Sequence, residues 1–248
     1  MAEDCPGSAS LSSSADRPGR KDSSLKAGSV ALFEWVLDAA SGVRSKPGIG
    51  RRFMGNDKMG IHPTARIHER AIVESGEIGA ETRVWAFAHV MGKARVGARC
   101  NLGEGVYVEE GAVIGDDCTI KNGVAVWEGV RLGNRVFVGP NAVFTNVVRP
   151  RAGQRDPSKS NFLPTLVQDG TTIGANATIL CGVTIGKYAF IGAGSVVLRN
   201  VPAHGFVAGN PARFRGWVCQ CAARLDETLA CPECSLRFQQ GPDGLVAV

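Results

Sequence analysis

Aromatic residues are scarce in this chain, at 6% with tyrosine occurring twice, so any core it forms is thin and built from smaller side chains. No apolar run approaches the ~20 residues of a membrane span, and the N-terminus has no secretory hydrophobic region. A basic stripe is missing too. The net charge of +5 is modest and dispersed along the sequence, which gives nucleic acid no surface to hold. These absences leave a soluble protein of the cytosol, and 248 residues suffice for one sizeable core with an appendage.

What the chain does have is a rhythm. From Ile78 onward every sixth residue is apolar, through Val84, Val90, Val96, Leu102, Val108, Ile114, Ile120, Val126, Leu132, Val138 and Phe144. The series stops there and resumes at Val167, Ile173, Ile179, Ile185, Ile191 and Val197. Four residues after each beat stands a second small or β-branched residue, such as Ala88, Ala94, Cys100, Val106, Ala112 or Cys118. Neither a heptad nor a 3.6-residue period fits. A period of six is the hexapeptide repeat of a parallel β-helix.

Each hexad is expected to form a short strand and a tight turn, with its branched side chains directed inward. Three hexads close one triangular coil, and successive coils stack about 4.8 Å apart, so residues eighteen apart in sequence stand one above another. Cys100 and Cys118 are such a pair. A disulfide between them is geometrically conceivable, but small core residues in a reducing compartment are the better account.

Residues 1 to about 58 differ in kind. The stretch SASLSSSADRPGRKDSSLKAGS is rich in serine, glycine and charge, and a segment with so little to bury is expected to be disordered. Within it, VALFEWVLDAASGV is compatible with a short amphipathic helix, marginal on its own or used for a partner. Met54 and Met59 precede IHPTARIHERAI, where the repeats begin, and either is a possible translation start.

The runs IHPTA, VGPNAVFTNVVRPR, IGANATILCGVTIGKYAFIGAGSVV and VPAHGFVAGNPARFRGW together resemble the left-handed β-helix acyltransferases. The likeness is strongest to the N-acetyltransferases of nucleotide-linked 3-amino sugars, which make precursors of bacterial surface polysaccharide. It covers roughly residues 60 to 217. It favours a UDP-linked 2-acetamido-3-amino-glucuronate acceptor, with dTDP-linked 3-amino-3,6-dideoxyhexoses close behind, and it implies acetyl-CoA as donor and a homotrimer with active sites between neighbouring helices.

The resemblance also explains why the rhythm stops. In such enzymes the chain leaves the coil after FTN, forms a loop over the groove between subunits, and returns. Here that excursion runs from about Val147 to Leu166, long enough to be a functional loop, and its Arg149, Arg151 and Arg155 can meet a diphosphate or simply be solvated. Asn146, beside Thr145 in FTN, is implied to contact the sugar amine and hold it against the acetyl thioester; the competing reading is a strand-end cap. An amide is no general base. Among the four histidines, His62, His68 and His204 lie in the first or last coils, and His89 is the base candidate within the repeats.

The donor is expected along the coils after the loop. Gly174 and Ala175 recur eighteen residues later as Gly192 and Ala193, a smooth wall for a pantetheine arm, although tight turns alone account for small residues equally well. Asn210, Pro211 and Arg213 stand near the end of the helix, with Arg213 able to meet a coenzyme A phosphate. In the tail, residues 218–248, Cys219 with Cys221 and Cys231 with Cys234 suit a four-thiolate zinc site, in which metal would supply the folding energy of so small a unit. Free thiols or a redox pair compete with zinc, and Ala222 and Ser235 stand where glycine commonly makes the turn after each pair. A γ-class carbonic anhydrase would need three converging histidines, which the coils lack. A sugar O-acetyltransferase and a non-catalytic β-helix scaffold with a zinc module are the remaining alternatives.

Overall fold

A computed structural model describes residues 53–54, 60–74, 76–153 and 158–248. The remaining residues, among them the expected amphipathic helix and Arg155, lie outside the described part. Among the described residues there is no helix, and the repeats wind into a left-handed β-solenoid of about eight turns. The chain visits three parallel faces in a fixed order. Face 1 includes Phe137–Val138, face 2 includes Val143–Phe144 and face 3 includes Thr165–Val167. We name the corners by the faces they join: edge 1–2, edge 2–3 and edge 3–1.

The hexad period becomes the core directly. Each beat residue from Ile78 to Val197 is at most 3% exposed, and the second small residue of each hexad is buried beside it, so a coil closes on a column of branched side chains. Coils pair in register at eighteen-residue spacing, as in Asn101↔Thr119 and Thr119↔Phe137. Across the loop the spacing is thirty-five, as in Phe137↔Thr172. Below Ile78 it falls to seventeen, as in Ile67↔Val84, because one hexad is a residue short.

Polar groups in this column are satisfied by the next coil. Thr82 Oγ1 donates to Gly97 O at 2.7 Å, Cys100 Sγ to Gly115 O at 3.0 Å and Cys118 Sγ to Gly133 O at 3.1 Å. Both thiols are free and buried, so these cysteines serve as small core residues with a weak donor. Thr165 is the exception. Its hydroxyl is buried with no hydrogen-bond partner, on a column where Val130 pairs with it and Val183 stands above. An unsatisfied buried hydroxyl costs about 1–3 kcal/mol, so Thr165→Val is expected to stabilise the protein by about 1 kcal/mol and raise its melting temperature by ~2–4 °C in calorimetry.

Two boundaries differ from the sequence expectation. Phe53–Met54, within the segment expected to be disordered, forms a strand antiparallel to Arg66–His68; the open rim of the first coil offers unpaired backbone groups that a passing strand can satisfy. The loop also closes two residues early. Thr165 N donates to Gly129 O at 3.1 Å and starts the strand Thr165–Val167, so the excursion is 147–164 and Leu166 belongs to the coil.

The tail is folded against the last coil. A hairpin of Phe238–Gly241 and Gly244–Ala247 carries Phe238 and Leu245 into a small core with Cys219 and Cys231. His204 is buried beneath it, stacked on Tyr188 at 5.1 Å and tilted against Phe238 at 4.7 Å, with Nδ1 2.9 Å from Val218 O. Burial holds this imidazole below its usual pKa, so it sits in the joint as the neutral ring.

Candidate functional site

The loop leaves edge 2–3 through a closed neck. Leu163 N donates to Asn146 O at 2.9 Å, and Val147 and Phe162 form an antiparallel bridge. Thr145 Oγ1 accepts from Cys181 N at 2.9 Å and ties the stem to the next coil. Asn146 therefore has its backbone fixed on both sides, while its half-buried side chain is directed at nothing hydrogen-bonded among the described residues. Further along, Lys159 forms an ion pair with Glu128 and its ammonium lies 5.8 Å from the Phe162 ring, which fastens the returning strand of the loop to its own edge. Arg149 and Arg151 are exposed at the outer part, where Arg151 Nη1 reaches Pro150 O at 3.2 Å.

Gly174, Ala175, Gly192 and Ala193 are brought together, but on edge 1–2, between Thr172–Ile173 and Thr178–Ile179 and one coil above. A Cβ on Gly174 would stand 2.4 Å from Ala193 N. Glycine is thus required there by coil stacking, and the wall it leaves is smooth for the same reason. At the C-terminal end, Pro211 and Arg213 line a cleft of about 330 Å³ together with Leu198, Arg199, Asn200 and Phe214. Arg199 escaped the sequence reading because it sits in a turn outside any motif.

Asn146 and the glycine wall consequently occupy different edges of one prism. His89 lies elsewhere again, outward on face 2. Its register column runs His89, Tyr107, Ala125, Val143, which at about 4.8 Å per coil sets it roughly 14 Å below the coil that ends in Asn146. Its Nε2 is 2.9 Å from Glu74 Oε1, Glu74 Oε2 accepts from Gly92 N at 3.0 Å, and Tyr107 packs edge-on at 5.5 Å. Glu74 was not legible as a partner, since the fifteen-residue separation means something only once the coils are stacked. His62, His68 and His204 lie in the first and last coils.

The four tail cysteines do converge. Cys219 and Cys234 sulfurs are 3.4 Å apart, Cys221 and Cys231 sulfurs 3.5 Å, and all four lie within 4.8 Å of one another. Burial pushes the Cys219 thiol up to about 12. At Cys231 burial acts the same way, but backbone N–H groups of Cys234 and Glu233 outweigh it and draw the thiol down to about 7. Ala222 and Ser235 take the left-handed conformation at φ +73° and +60°, so the turn after each pair is made at some strain without glycine.

A hexapeptide solenoid with a loop at one edge and stacked small residues at another has the architecture of the left-handed β-helix class. The bacterial transferase hexapeptide family (six repeats) matches residues 111–146 and 164–199, and the hexapeptide repeat of succinyl-transferase matches residues 93–128. The chain is 44% identical over 187 residues to dTDP-3-amino-3,6-dideoxy-alpha-D-galactopyranose 3-N-acetyltransferase of Aneurinibacillus thermoaerophilus, covering 74% of this chain and 95% of that enzyme. It belongs to that family of hexapeptide-repeat N-acetyltransferases. A shorter match, 44% over 81 residues, joins it to 2,3,4,5-tetrahydropyridine-2,6-dicarboxylate N-acetyltransferase of Staphylococcus aureus (strain JH9), covering 33% of this chain and 30% of that one. The acetyltransferase domain of PglB from Neisseria gonorrhoeae FA1090 superposes with a TM-score of 0.43 at 24% identity, over 61% of this chain and 57% of that one. No helix of the described residues is long and apolar enough to cross a membrane.

Proposed function

We propose that the protein transfers the acetyl group of acetyl-CoA to the 3-amino group of a nucleotide-linked amino sugar, a step in making bacterial surface polysaccharide precursors. The observation that carries this reading is identity extending over 95% of a relative that bears that activity in its name. The relative's dTDP-linked acceptor makes dTDP as strong a candidate as the UDP-linked sugar favoured by the sequence motifs. An acetyl-transfer assay over a panel of UDP- and dTDP-linked 3-amino sugars, with hydroxyl sugars as controls, tests the reading. Acetylation of hydroxyl acceptors alone would move the enzyme to the O-acetyltransferases, and no transfer with no acetyl-CoA binding would leave a scaffold.

In the reaction, the neutral amine attacks the thioester carbonyl, the C–N bond forms, the C–S bond breaks, and the departing thiolate takes up a proton. Asn146 orients the amine from the loop neck, and Arg149, Arg151 and Arg155 add positive charge on the acceptor side. The glycine wall of Gly174, Ala175, Gly192 and Ala193 admits the pantetheine arm near backbone N–H groups able to meet the oxyanion. Asn210, Pro211 and Arg213, with Arg199, hold the nucleotide end of the donor. His89 is set apart from Asn146 of its own chain, and we assign it no step.

The separation of Asn146 and the glycine wall on two edges supports a homotrimer, because a neighbouring copy must bring one edge to the other and a head-to-tail contact closes as a ring. Light scattering at micromolar concentration is expected to return three times the chain mass; a monomer would refute this. For the tail we propose structural zinc held by Cys219, Cys221, Cys231 and Cys234, since tetrahedral bonds of about 2.3 Å place sulfurs about 3.8 Å apart, close to the spacing of the four thiols. Zinc held there would cross-link the two turns, and the four thiols take no part in the transfer. Free thiols and a cosubstrate of metabolism favour the cytoplasm.

A further inference from the structure

We propose that copies of this chain turn face 2 toward one another around a three-fold axis, so that each active site joins Asn146 of one copy to the glycine wall of the next; the pairing of those two halves rests on the acetyl-transfer reading above. The three faces differ in what they present outward. Face 1 carries Arg66, Arg83, Asn101 and Thr119 in register, and face 3 carries Glu77, Arg95 and Arg131. The column of face 2 is apolar instead, with Ile72, Tyr107, Ala125, Val143 and Val196 interrupted by His89 and Thr178. It holds neither lysine nor arginine. Ile72 is 59% exposed and Val143 47%, and an apolar surface left open in this way marks an interaction site.

Two residues along the strands, on the same side of the sheet, Met91, Trp127, Leu180 and Leu198 form a second apolar column in which Glu74, Glu109 and Thr145 are the polar members. Each of the three already has a partner within the chain. Glu74 Oε1 lies 2.9 Å from His89 Nε2, Glu109 Oε2 accepts from Glu128 N at 2.8 Å, and Thr145 Oγ1 accepts from Cys181 N at 2.9 Å. The Tyr107 hydroxyl donates to Met91 Sδ at 2.7 Å. Covering this face therefore strands none of these polar groups.

Position selects a second copy as the cover. Face 2 is bounded by edges 1–2 and 2–3, the two edges that carry the glycine wall and Asn146, so a ring closed around face 2 sets edge 2–3 of each copy against edge 1–2 of the next. A rotation shifts nothing along its own axis. With the solenoids parallel to that axis, the two halves of a site must stand at nearly equal height, and they do: Val143 registers with Thr178, so Gly174 lies one coil, about 4.8 Å, above the coil that ends in Asn146. The same contact covers Phe87 on edge 1–2, which is 63% exposed at φ +60°. Edge 3–1, opposite face 2, holds the Arg99 and Asp117 ion pair at 2.6 Å and stays in solvent.

The test places one carboxylate on each face of the full chain: Val143→Glu on face 2, with Phe137→Glu on face 1 and Leu166→Glu on face 3 as controls, their native residues being 38% and 41% exposed. Val143→Glu is expected to return the monomer mass in light scattering at micromolar concentration while keeping its β-sheet circular dichroism, because unpaired carboxylates would be buried at the axis. The controls stay at three times the chain mass. Ile72→Glu, on the same face four coils lower, is expected to give the same result and decides the matter if Val143→Glu does not fold. Trimeric face 2 variants, a control that dissociates instead, or a monomeric wild type whose face 2 is left to another occupant would each overturn the assignment.

The shared site is read by co-expressing Asn146→Ala with Ala193→Trp, which fills the wall from an exposed position. Each variant alone is expected to be nearly inactive, whereas mixed trimers regain about a quarter of wild-type transfer, since one contact in four pairs an intact Asn146 with an intact wall. Mixed trimers without that rescue would show that both halves act within one chain. Because light scattering needs no turnover, a wild type that trimerises through face 2 yet acetylates no amino sugar would sink the reaction and leave the interface standing.

Discussion

Asn146→Ala is expected to lower acetyl transfer to a nucleotide-linked 3-amino sugar by roughly a hundredfold or more while leaving acetyl-CoA affinity near wild type. The neck contacts from Leu163 N to Asn146 O and from Cys181 N to Thr145 Oγ1 hold the backbone whatever the side chain is, so the variant keeps its loop stem. On the proposed role, what it loses is one positioned polar contact to the reacting amine. Such a contact made in the transition state is worth ~2–4 kcal/mol. The glycine wall proposed for the donor lies on edge 1–2, away from the neck, so steady-state kinetics paired with donor titration separate the roles. Retained turnover, or a collapse of donor affinity instead, would remove Asn146 from the acceptor site.

On the zinc proposal, treatment with a chelator is expected to unfold residues 218–248 and spare the solenoid. Protein purified without chelator should contain about one zinc ion per chain, and Cys231→Ser should release it. Phe238 and Leu245 contribute roughly 1.5–3 kcal/mol each, too little to order a tail of this length, whereas structural zinc binding in small domains is worth about 10–16 kcal/mol. The tail core is separate from the helix core, so the coils keep their strands. The last coil is not wholly independent. Leu245 N donates to Ala203 O, Ala203 N to Asp243 O, and His204 is roofed by Phe238, so fraying there and a change in the fluorescence of Trp217, which packs in the tail core, should accompany zinc loss. Elemental analysis without zinc, or a chelator that melts the whole protein in one transition, would contradict this account.

Much of this was written in the one-dimensional pattern. An apolar residue at every sixth position, at most 3% exposed once folded, determines the coil because every hexad meets the same local demand: one branched residue inward, one tight turn. The pause after Phe144 announces the loop, and two close cysteine pairs announce a convergent thiol cluster, since spacing along the chain limits where they can go.

The sequence by itself could not decide what lies across a coil. Glu74 meets His89 fifteen residues away, Arg66 faces Arg83 seventeen away, and Lys159 reaches Glu128 thirty-one away, and these separations acquire meaning only when each coil's length is known. A short hexad before Ile78 and the excursion at 147–164 both reset that length. The same winding places Asn146 and Gly174 on different edges although both flank neighbouring hexads. Periodicity tells which residues point inward; the number of residues in each turn of the solenoid decides which outward residues become neighbours.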